Sequence, residues 1–396
     1  MSTARTPIRF GVIGAGLMGR EFAAAAARWC QLDAGPHPPD FEPRITGVCD
    51  LNPAARGWFA RNCPLTVNTD DYTALLDADD IDAVYIAVPH DLHEKLYLDA
   101  IRSGKALLGE KPFGIDRAAN ARITAAIEAA PDTFVRCSSE IPFFPGAQRI
   151  VEMVERDAFG TILEVESGFW HGSDLDPDKP INWKRQVRHC GEYGVLGDLG
   201  LHPLHLPLRF GWRPQNLRAV LSKVVETRPK SKGSSERVPC ETWDNATMLT
   251  HVKQAEQDFP MTLSVKRIAP GHQNTWFLRI AGTKQSAFFS TENPKVLRTL
   301  PYPAAGGPQA WHVEDLAFAP RYASVTGGIF EFGFADAIQQ MWAAFCDELT
   351  HGIDGMGQTG TTPFTCVTPA EAQQHHRILD AAQRSHETAS LIELDG

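Results

Sequence analysis

The sequence predicts an α/β protein: a doubly wound parallel sheet at the N-terminal end, then an α+β part with a large, open, mostly antiparallel sheet. Three observations predict it. Strand-like and helix-like segments alternate over the first 140 residues, the order of linked βαβ units. A glycine-rich turn, Gly14-Ala15-Gly16-Leu17-Met18-Gly19, sits between the first strand and the first helix of that series. Beyond about Pro142 the apolar residues recur with a period of two over longer segments. A chain of 396 residues is too long for one small core, and the change of pattern divides it into 1–140 and 141–396.

The first strand is the apolar run Ile8–Ile13, and the helix after the glycine turn is Glu21-Phe22 followed by alanines, good helix formers. A second strand, Arg44–Cys49, ends in Asp50; a helix starts at Pro53, and a short strand lies near Leu65–Val67. Asp82–Val88 is a continuous apolar run stopped by Pro89, as suits a strand buried on both faces. A helix over Asp91–Ser103, the strand Ala106–Gly109, another helix and the strand Phe134–Cys137 close the series. A helix then spans Gln148–Arg156. Alternating segments follow at Ile162–Trp170, Leu217–Val225, Ala246–Val252, Thr262–Lys266, Trp276–Ala281 and Ala287–Ser290. Helices near Phe334–Thr350 and Pro369–Ser385 finish the chain. Arg228–Ser235 reads as a solvated basic loop. His375-His376 reads as equally bland, since adjacent helix positions do not face one ligand, and no metal is expected.

Composition narrows the function. A net charge of −10 argues against non-specific nucleic-acid binding. The N-terminus leads directly into a strand with no signal peptide, and no apolar run approaches a membrane span. Eight scattered cysteines without a C-x-x-C pattern suit reduced, cytoplasmic usage. No nucleic-acid and no membrane partner is expected.

The glycine turn is a G-x-G-x-x-G. Gly14 permits the tight turn, Gly16 lets backbone approach a pyrophosphate, and Gly19 lets helix and strand pack closely. The helix start near Leu17 and Met18 offers N–H groups to phosphates. This is the fingerprint of a Rossmann dinucleotide-binding sheet. Asp50 closes the second strand, where a carboxylate takes both ribose hydroxyls of NAD and repels the 2′-phosphate of NADP. NAD is therefore the expected cofactor and NADP the less favoured one. Arg56, in the next helix, is the one nearby cation that reaching back would set against that phosphate. The spacing from turn to acid is about ten residues longer than usual, and the Pro/Asp-rich stretch Gln31–Pro43 reads as an inserted surface loop.

Further motifs stand at strand ends, where open parallel sheets bind ligands. They are Pro89-His90-Asp91-Leu92-His93, Glu110-Lys111-Pro112, and, downstream, Trp183-Lys184-Arg185 and Asp198-Leu199-Gly200-Leu201-His202. In this order and spacing they resemble the Gfo/Idh/MocA oxidoreductases, the glucose–fructose oxidoreductase and inositol dehydrogenase family, over essentially the whole chain. The resemblance implies that Lys111, Asp198 and His202 form a catalytic triad at the nicotinamide. It implies that Glu110 contacts the nicotinamide ribose and that Pro89, His93 and Trp183 lie on the cofactor. It also places the Trp-basic segment near the active site, so that Lys184 or Arg185 binds an anionic group of the substrate. Family members pair sheet to sheet, which implies a homodimer or homotetramer. The apolar positions of Leu217–Leu221 and Phe277–Ile280, with no helical cover evident in the sequence, point the same way.

The residue types also suit the chemistry by themselves. Oxidising a carbinol needs a base for the hydroxyl proton while hydride leaves carbon; a histidine has the right proton affinity near neutrality. Asp198 and His202 are four apart, so on a helix they share a face and the carboxylate orients the imidazole. A partly desolvated Lys111 beside a cationic ring polarises the oxygen or takes the proton. The chain departs from the family pattern at Glu192-Tyr193, bulky residues expected in the substrate pocket, at His205, which reads as a packed core histidine, and at Glu140–Phe144. The expected function is hydride transfer between NAD and a secondary hydroxyl of a sugar, sugar derivative or cyclitol. The alternatives are glycoside cleavage by transient oxidation and elimination, and a non-catalytic sugar sensor. Lys111, Asp198 and His202 together speak against the sensor.

Overall fold

The computed structural model describes residues 5–35, 38–302, 306–316, 320–356 and 364–394. Two compact units emerge: Met1–Gly114, Ala118–Phe143 and Ala317–Ala370 form the first, and Ile115–Arg117, Phe144–Leu316 and Glu371–Gly396 the second.

The first unit holds a six-stranded parallel sheet of β1 (Thr6–Ile13), β2 (Phe41–Cys49), β3 (Val67–Thr69), β4 (Ala83–Ile86), β5 (Ala106–Gly109) and β6 (Val135–Cys137). Their order is β3-β2-β1-β4-β5-β6, so the chain reverses direction between β1 and β4, and the crevice at that switch point is where such sheets take nucleotides. Every residue of β4 and β5 is buried, as their unbroken apolar sequence requires. The connecting helices include α1 (Leu17–Ala27), α2 (Pro53–Asn62), α3 (Thr73–Leu76), α4 (His93–Arg102) and α5 (Arg117–Glu128). Asn52 caps α2 by accepting from the Ala54 N–H at 3.0 Å, with Pro53 as its first residue. Pro36 and His37 of the expected surface insertion lie outside the described residues.

This unit takes in more chain than the break at 140 assigns to it. The helix Phe334–Gly355 lies against α1: Trp342 packs on Phe10 and Phe22, and Gln339 Nε2 donates to the Arg28 carbonyl at 2.8 Å. Arg136 in β6 pairs with Glu348 of that helix. Apolar side chains of β1 and α1 need a cover on that face, and the chain supplies it from about three hundred residues downstream.

The second unit is built on a nine-stranded mixed sheet. After α6 (Pro145–Glu155) come β7 (Ile162–Trp170), α7 (Val187–Cys190), α8 (Val195–Leu199) and α9 (Leu201–Arg209). The strands continue with β8 (Arg213–Ser222), the hairpin β9 (Thr227–Pro229) and β10 (Arg237–Pro239), β11 (Asn245–Gln254), β12 (Gln257–Lys266), β13 (Thr275–Gly282), β14 (Gln285–Ser290), β15 (Val296–Pro301), β16 (His312–Asp315) and β17 (Ile392–Glu393). The order is β16-β15-β14-β13-β7-β12-β11-β8-β17, antiparallel except where β7 pairs with β12.

One face of this sheet is covered. Leu217, Ala219, Leu221, Leu278 and Ile280 are all buried, and the C-terminal helix Pro369–Thr388 ties to β8 through Ser385 Oγ, which accepts from the Ala219 N–H at 2.9 Å. The apolar positions expected to lack cover therefore have it. The opposite face alternates apolar with charged residues, Arg279 pairing with Glu164 and Glu166, while Val220 and Leu249 stand exposed. Two further expectations change. Arg228 is not a solvated loop residue: it is buried in the β9–β10 hairpin and donates to the carbonyls of Asp174, Asp176 and Lys179. His375 and His376 are buried in the C-terminal helix, because Gly200 lets that helix approach; a Cβ at Gly200 would stand 3.2 Å from His375 Nε2.

Candidate active site

The first unit gathers its candidate residues at the carboxyl ends of β1, β2, β4 and β5. Gly14 takes φ +101°, and its N–H donates to the Cys49 carbonyl at 2.9 Å, stitching the turn to β2. A Cβ on Gly14 would fall 2.2 Å from the Ala87 carbonyl oxygen, and one on Gly19 would fall 2.3 Å from the Gly14 oxygen. A Cβ on Gly16 would meet nothing within 4 Å. Two glycines thus serve backbone packing, and the third faces open space at the start of α1. That helix begins without a side-chain cap, leaving N–H groups for an anion. Leu17 at the start of α1 and Leu51 next after Asp50 are 75% and 85% exposed. Met18 beside them is half-buried.

Asp50 Oδ2 accepts from the Ala15 N–H and Oδ1 from the Asn52 N–H, both at 2.8 Å. The carboxylate is thereby aimed with lone pairs to spare. Arg56 does reach back, donating to the Asp50 carbonyl. The donor set and the open cradle fit a dinucleotide whose adenosine ribose lies at Asp50. Replacing Asp50 by alanine is expected to raise the KM for NAD about tenfold, the worth of a pair of lost hydrogen bonds, and to narrow the preference over NADP. Measuring kcat/KM with both cofactors checks this; a wild type that uses NADP as well as NAD would place Asp50 away from the ribose.

Glu110 follows β5 directly and is fixed twice. Tyr85 OH donates to its Oε1 at 2.6 Å and Tyr97 OH to its carbonyl at 2.7 Å. Tyr97 in turn stacks on His93, whose Nε2 lies 3.1 Å from the Val88 carbonyl. Lys111, half-buried, comes next in the chain, and Pro89, also half-buried, begins the step after β4. Burial and the Glu110 charge hold both tyrosine hydroxyls well above their ordinary range, so they act as donors.

The second unit places Asp198 on α8 and His202 on α9, with Gly200 in helical conformation between them. Asp198 is 1% exposed and its carboxylate is ringed by cations. Lys184 Nζ reaches both its oxygens at 3.0 Å, and Arg267 Nη2 reaches Oδ2 at 3.0 Å. His202 stacks on Phe169 with centroids 4.7 Å apart, and Trp276 Nε1 donates to its carbonyl at 3.0 Å. His171, at the end of β7, feels the same charges; burial first, then Lys184 and Arg267 against Asp198, bring it down to about 4, so it is neutral near pH 7. Trp183 is half-buried with the Lys184 ammonium over its ring.

Comparison with known proteins follows from these features. Residues 8–137 match the Gfo/Idh/MocA oxidoreductase model, NAD-binding Rossmann fold, and residues 147–288 match the Gfo/Idh/MocA C-terminal domain. The chain belongs to the Gfo/Idh/MocA oxidoreductase family. It is similar to levoglucosan dehydrogenase of Pseudarthrobacter phenanthrenivorans, 25% identical over 299 residues, 72% of this chain and 74% of the relative. It is also similar to inositol 2-dehydrogenase of Rhizobium meliloti, 34% identical over 236 residues, 58% of this chain and 63% of the relative. A solved levoglucosan dehydrogenase in complex with NADH and L-sorbose superposes with a TM-score of 0.85 at 21% identity, covering 98% of this chain and 99% of that one. As a member of this family the protein is an NAD-binding oxidoreductase, with the parallel sheet and the mostly antiparallel sheet that its sequence predicts.

Within this family frame, three expected site residues are buried. Arg185 is not available to a substrate. It is 0% exposed and pairs with Asp174 at 2.6 Å and with Asp244, because a guanidinium taken out of water must be met by carboxylates. His93 is likewise 0% exposed, so it props Tyr97 and through it Glu110, and offers no surface to a cofactor. Asp198, at 1%, is all but closed to solvent, with Lys184 and Arg267 on its carboxylate. Tyr193 is 6% exposed, its hydroxyl accepting from the Arg117 N–H at 3.3 Å. His205 is a core histidine, brought down to about 3 by burial and then by the Arg209 charge.

The sequence reading missed Arg267, Asp174, Asp244 and Glu140. The first three carry no local signal, since their partners lie 11 to 69 residues away. Glu140 is buried after β6 and pushed up to about 7, by burial first, with Glu110 adding to the effect and Lys111 opposing it. Its position in the segment that departs from the family pattern was the available clue.

Proposed function

We propose that this protein is a dehydrogenase that moves hydride between NAD and a secondary hydroxyl of a sugar, sugar derivative or cyclitol. The observation that carries the reading is the pinned Glu110 followed by Lys111 at the end of β5, beside a glycine cradle that fits NAD. The relatives' named substrates, levoglucosan and inositol, support the substrate class. Bound NAD supplies the hydride acceptor. His202 and Lys111 handle the hydroxyl proton, with Glu110 directed to the nicotinamide ribose. Asp198 contributes a fixed negative charge that favours the protonated form of a neighbouring base. Lys184, half-exposed, is the accessible cation for polar groups of the substrate, with Trp183 under its ammonium and Tyr193 as a further proposed contact.

The test is a panel of sugars, inositols and glycosides with NAD, followed by absorbance of the reduced cofactor. Steady NADH formation on a free sugar or cyclitol is expected. Release of an aglycone without net NADH would replace this reading by redox-neutral glycoside cleavage. Silence across the panel with NAD bound would remove it.

The reading extends to assembly and location. The exposed Val220 and Leu249, diagonal neighbours on β8 and β11, support pairing of that sheet face in a homodimer or homotetramer. Light scattering at micromolar concentration is expected to give a multiple of the 43.6 kDa chain, and a monomer mass overturns it. Eight cysteines held as thiols support a cytoplasmic location. Among the described residues no helix is long and apolar enough to cross a membrane.

A further inference from the structure

Arg267 stands just past the end of β12, is 1% exposed, and grips two things at once. Its Nη2 meets Asp198 Oδ2 at 3.0 Å, and its Nη1 donates to the Lys184 carbonyl at 3.1 Å. Thr242 Oγ1 donates to that same carbonyl at 2.8 Å, and the Lys184 ammonium returns to the Asp198 carboxylate. The backbone of Arg267 is itself fixed, its N–H donating to the Asp244 carbonyl at 2.9 Å. A closed ring results: Arg267 to Asp198, Asp198 to the Lys184 side chain, the Lys184 carbonyl back to Arg267.

The neighbouring carboxylates are already committed. Asp174 is met by Arg185 and Lys179, and Asp244 by Arg185 and the N–H groups of Val224 and Val225. Asp198 is therefore the carboxylate that Arg267 answers to. A buried carboxylate costs several kcal/mol unless cations meet it, and a fork-shaped guanidinium bonds a carboxylate and a carbonyl together where an ammonium serves one direction well.

We propose that Arg267 is a positioning residue for the reaction: it fixes Asp198 as a permanent charge and sets the Lys184 segment against it, so that the groups on α8 and α9 meet the substrate in one arrangement. This rests on the dehydrogenase reading above. Arg267 touches neither substrate nor cofactor in this account, so its loss lowers turnover more than it weakens substrate binding through Lys184, and it spares NADH binding.

The experiment compares Arg267→Gln and Arg267→Lys, each alone and combined with Asp198→Asn. Readouts are kcat, KM, NADH affinity by fluorescence and the thermal midpoint. Arg267→Gln is expected to lower kcat about tenfold or more, to raise KM by less than that, and to leave NADH affinity within about threefold. Arg267→Lys, which keeps the charge at Asp198 but loses the fork to the Lys184 carbonyl, is expected to hold a higher kcat than Arg267→Gln although it melts earlier than the wild type. In the Asp198→Asn background, Arg267→Gln is expected to add little further loss, as residues acting through one another are non-additive. A folded Arg267→Gln with wild-type kcat overturns the proposal. So does an Arg267→Lys that falls in kcat in step with its melting point, or an undiminished loss in the double variant. If Arg267→Gln does not fold, the Arg267→Lys comparison decides by the same criteria. A wild-type kcat in Asp198→Asn alone strikes the catalytic assignment of α8 itself, a result distinct from the others.

Discussion

Replacing His202 or Lys111 by alanine is expected to lower kcat by about a hundredfold or more, the usual worth of a placed acid–base group. His202 is held from two sides, its ring on Phe169 and its carbonyl on Trp276, so the imidazole has little freedom to move. Lys111 follows a residue whose carboxylate and carbonyl are both tied by tyrosines, which fixes where the lysine side chain starts. Neither change touches the glycine turn or Asp50. NADH titration is therefore expected to give nearly wild-type affinity while turnover collapses. Turnover within a few-fold of wild type in either variant would remove that residue from the chemistry, and a parallel loss of NADH affinity would make it a binding group.

Gly14→Ala is expected to be the most damaging single change in the first unit. The new methyl group would sit 2.2 Å from the Ala87 oxygen and 2.8 Å from its carbon, both backbone atoms that cannot swing aside. The φ of +101° is also closed to an L side chain. The cost to stability is about 2 kcal/mol or more, and NADH affinity is expected to fall at least tenfold because the turn must open. Gly16→Ala separates the two effects. Its methyl group meets nothing within 4 Å, so the melting point is expected to hold while NADH affinity drops. Equal melting points for both variants would show that the turn is looser than its geometry; unchanged affinity in Gly16→Ala would move the pyrophosphate elsewhere.

Much of the first unit was legible because its signals are local. A glycine turn between an apolar run and a helix, two fully buried strands and an acid at a strand end all lie within short windows, and the structure places them together. Elements of the second sheet were legible by alternation, yet β15, β16 and β17 were not seen. They are short edge or near-edge strands, and β16 shows no buried side to alternate. The buried ion pairs were illegible for another reason. Arg185 and Arg228 look in sequence like any charged loop residue, and only the tertiary fold brings Asp174 and Asp244 to the first and backbone carbonyls to the second. The same holds for Arg267, whose strand gives no hint of the carboxylate 69 residues earlier.

The helix Phe334–Gly355 has a consequence for how the chain comes off the ribosome. Phe10 of β1 and Phe22 of α1 are made more than about three hundred residues before their cover, Trp342. Until the chain has grown that far, the nascent parallel sheet carries a bare aromatic face with its backbone pairing complete. Such a species is prone to sticking to its neighbours, and closing so long an excursion is slow. The nucleotide-binding half, though written first, is therefore finished only after nearly the whole of the other half has emerged, and a fragment ending near residue 140 is left without its lid of aromatic rings.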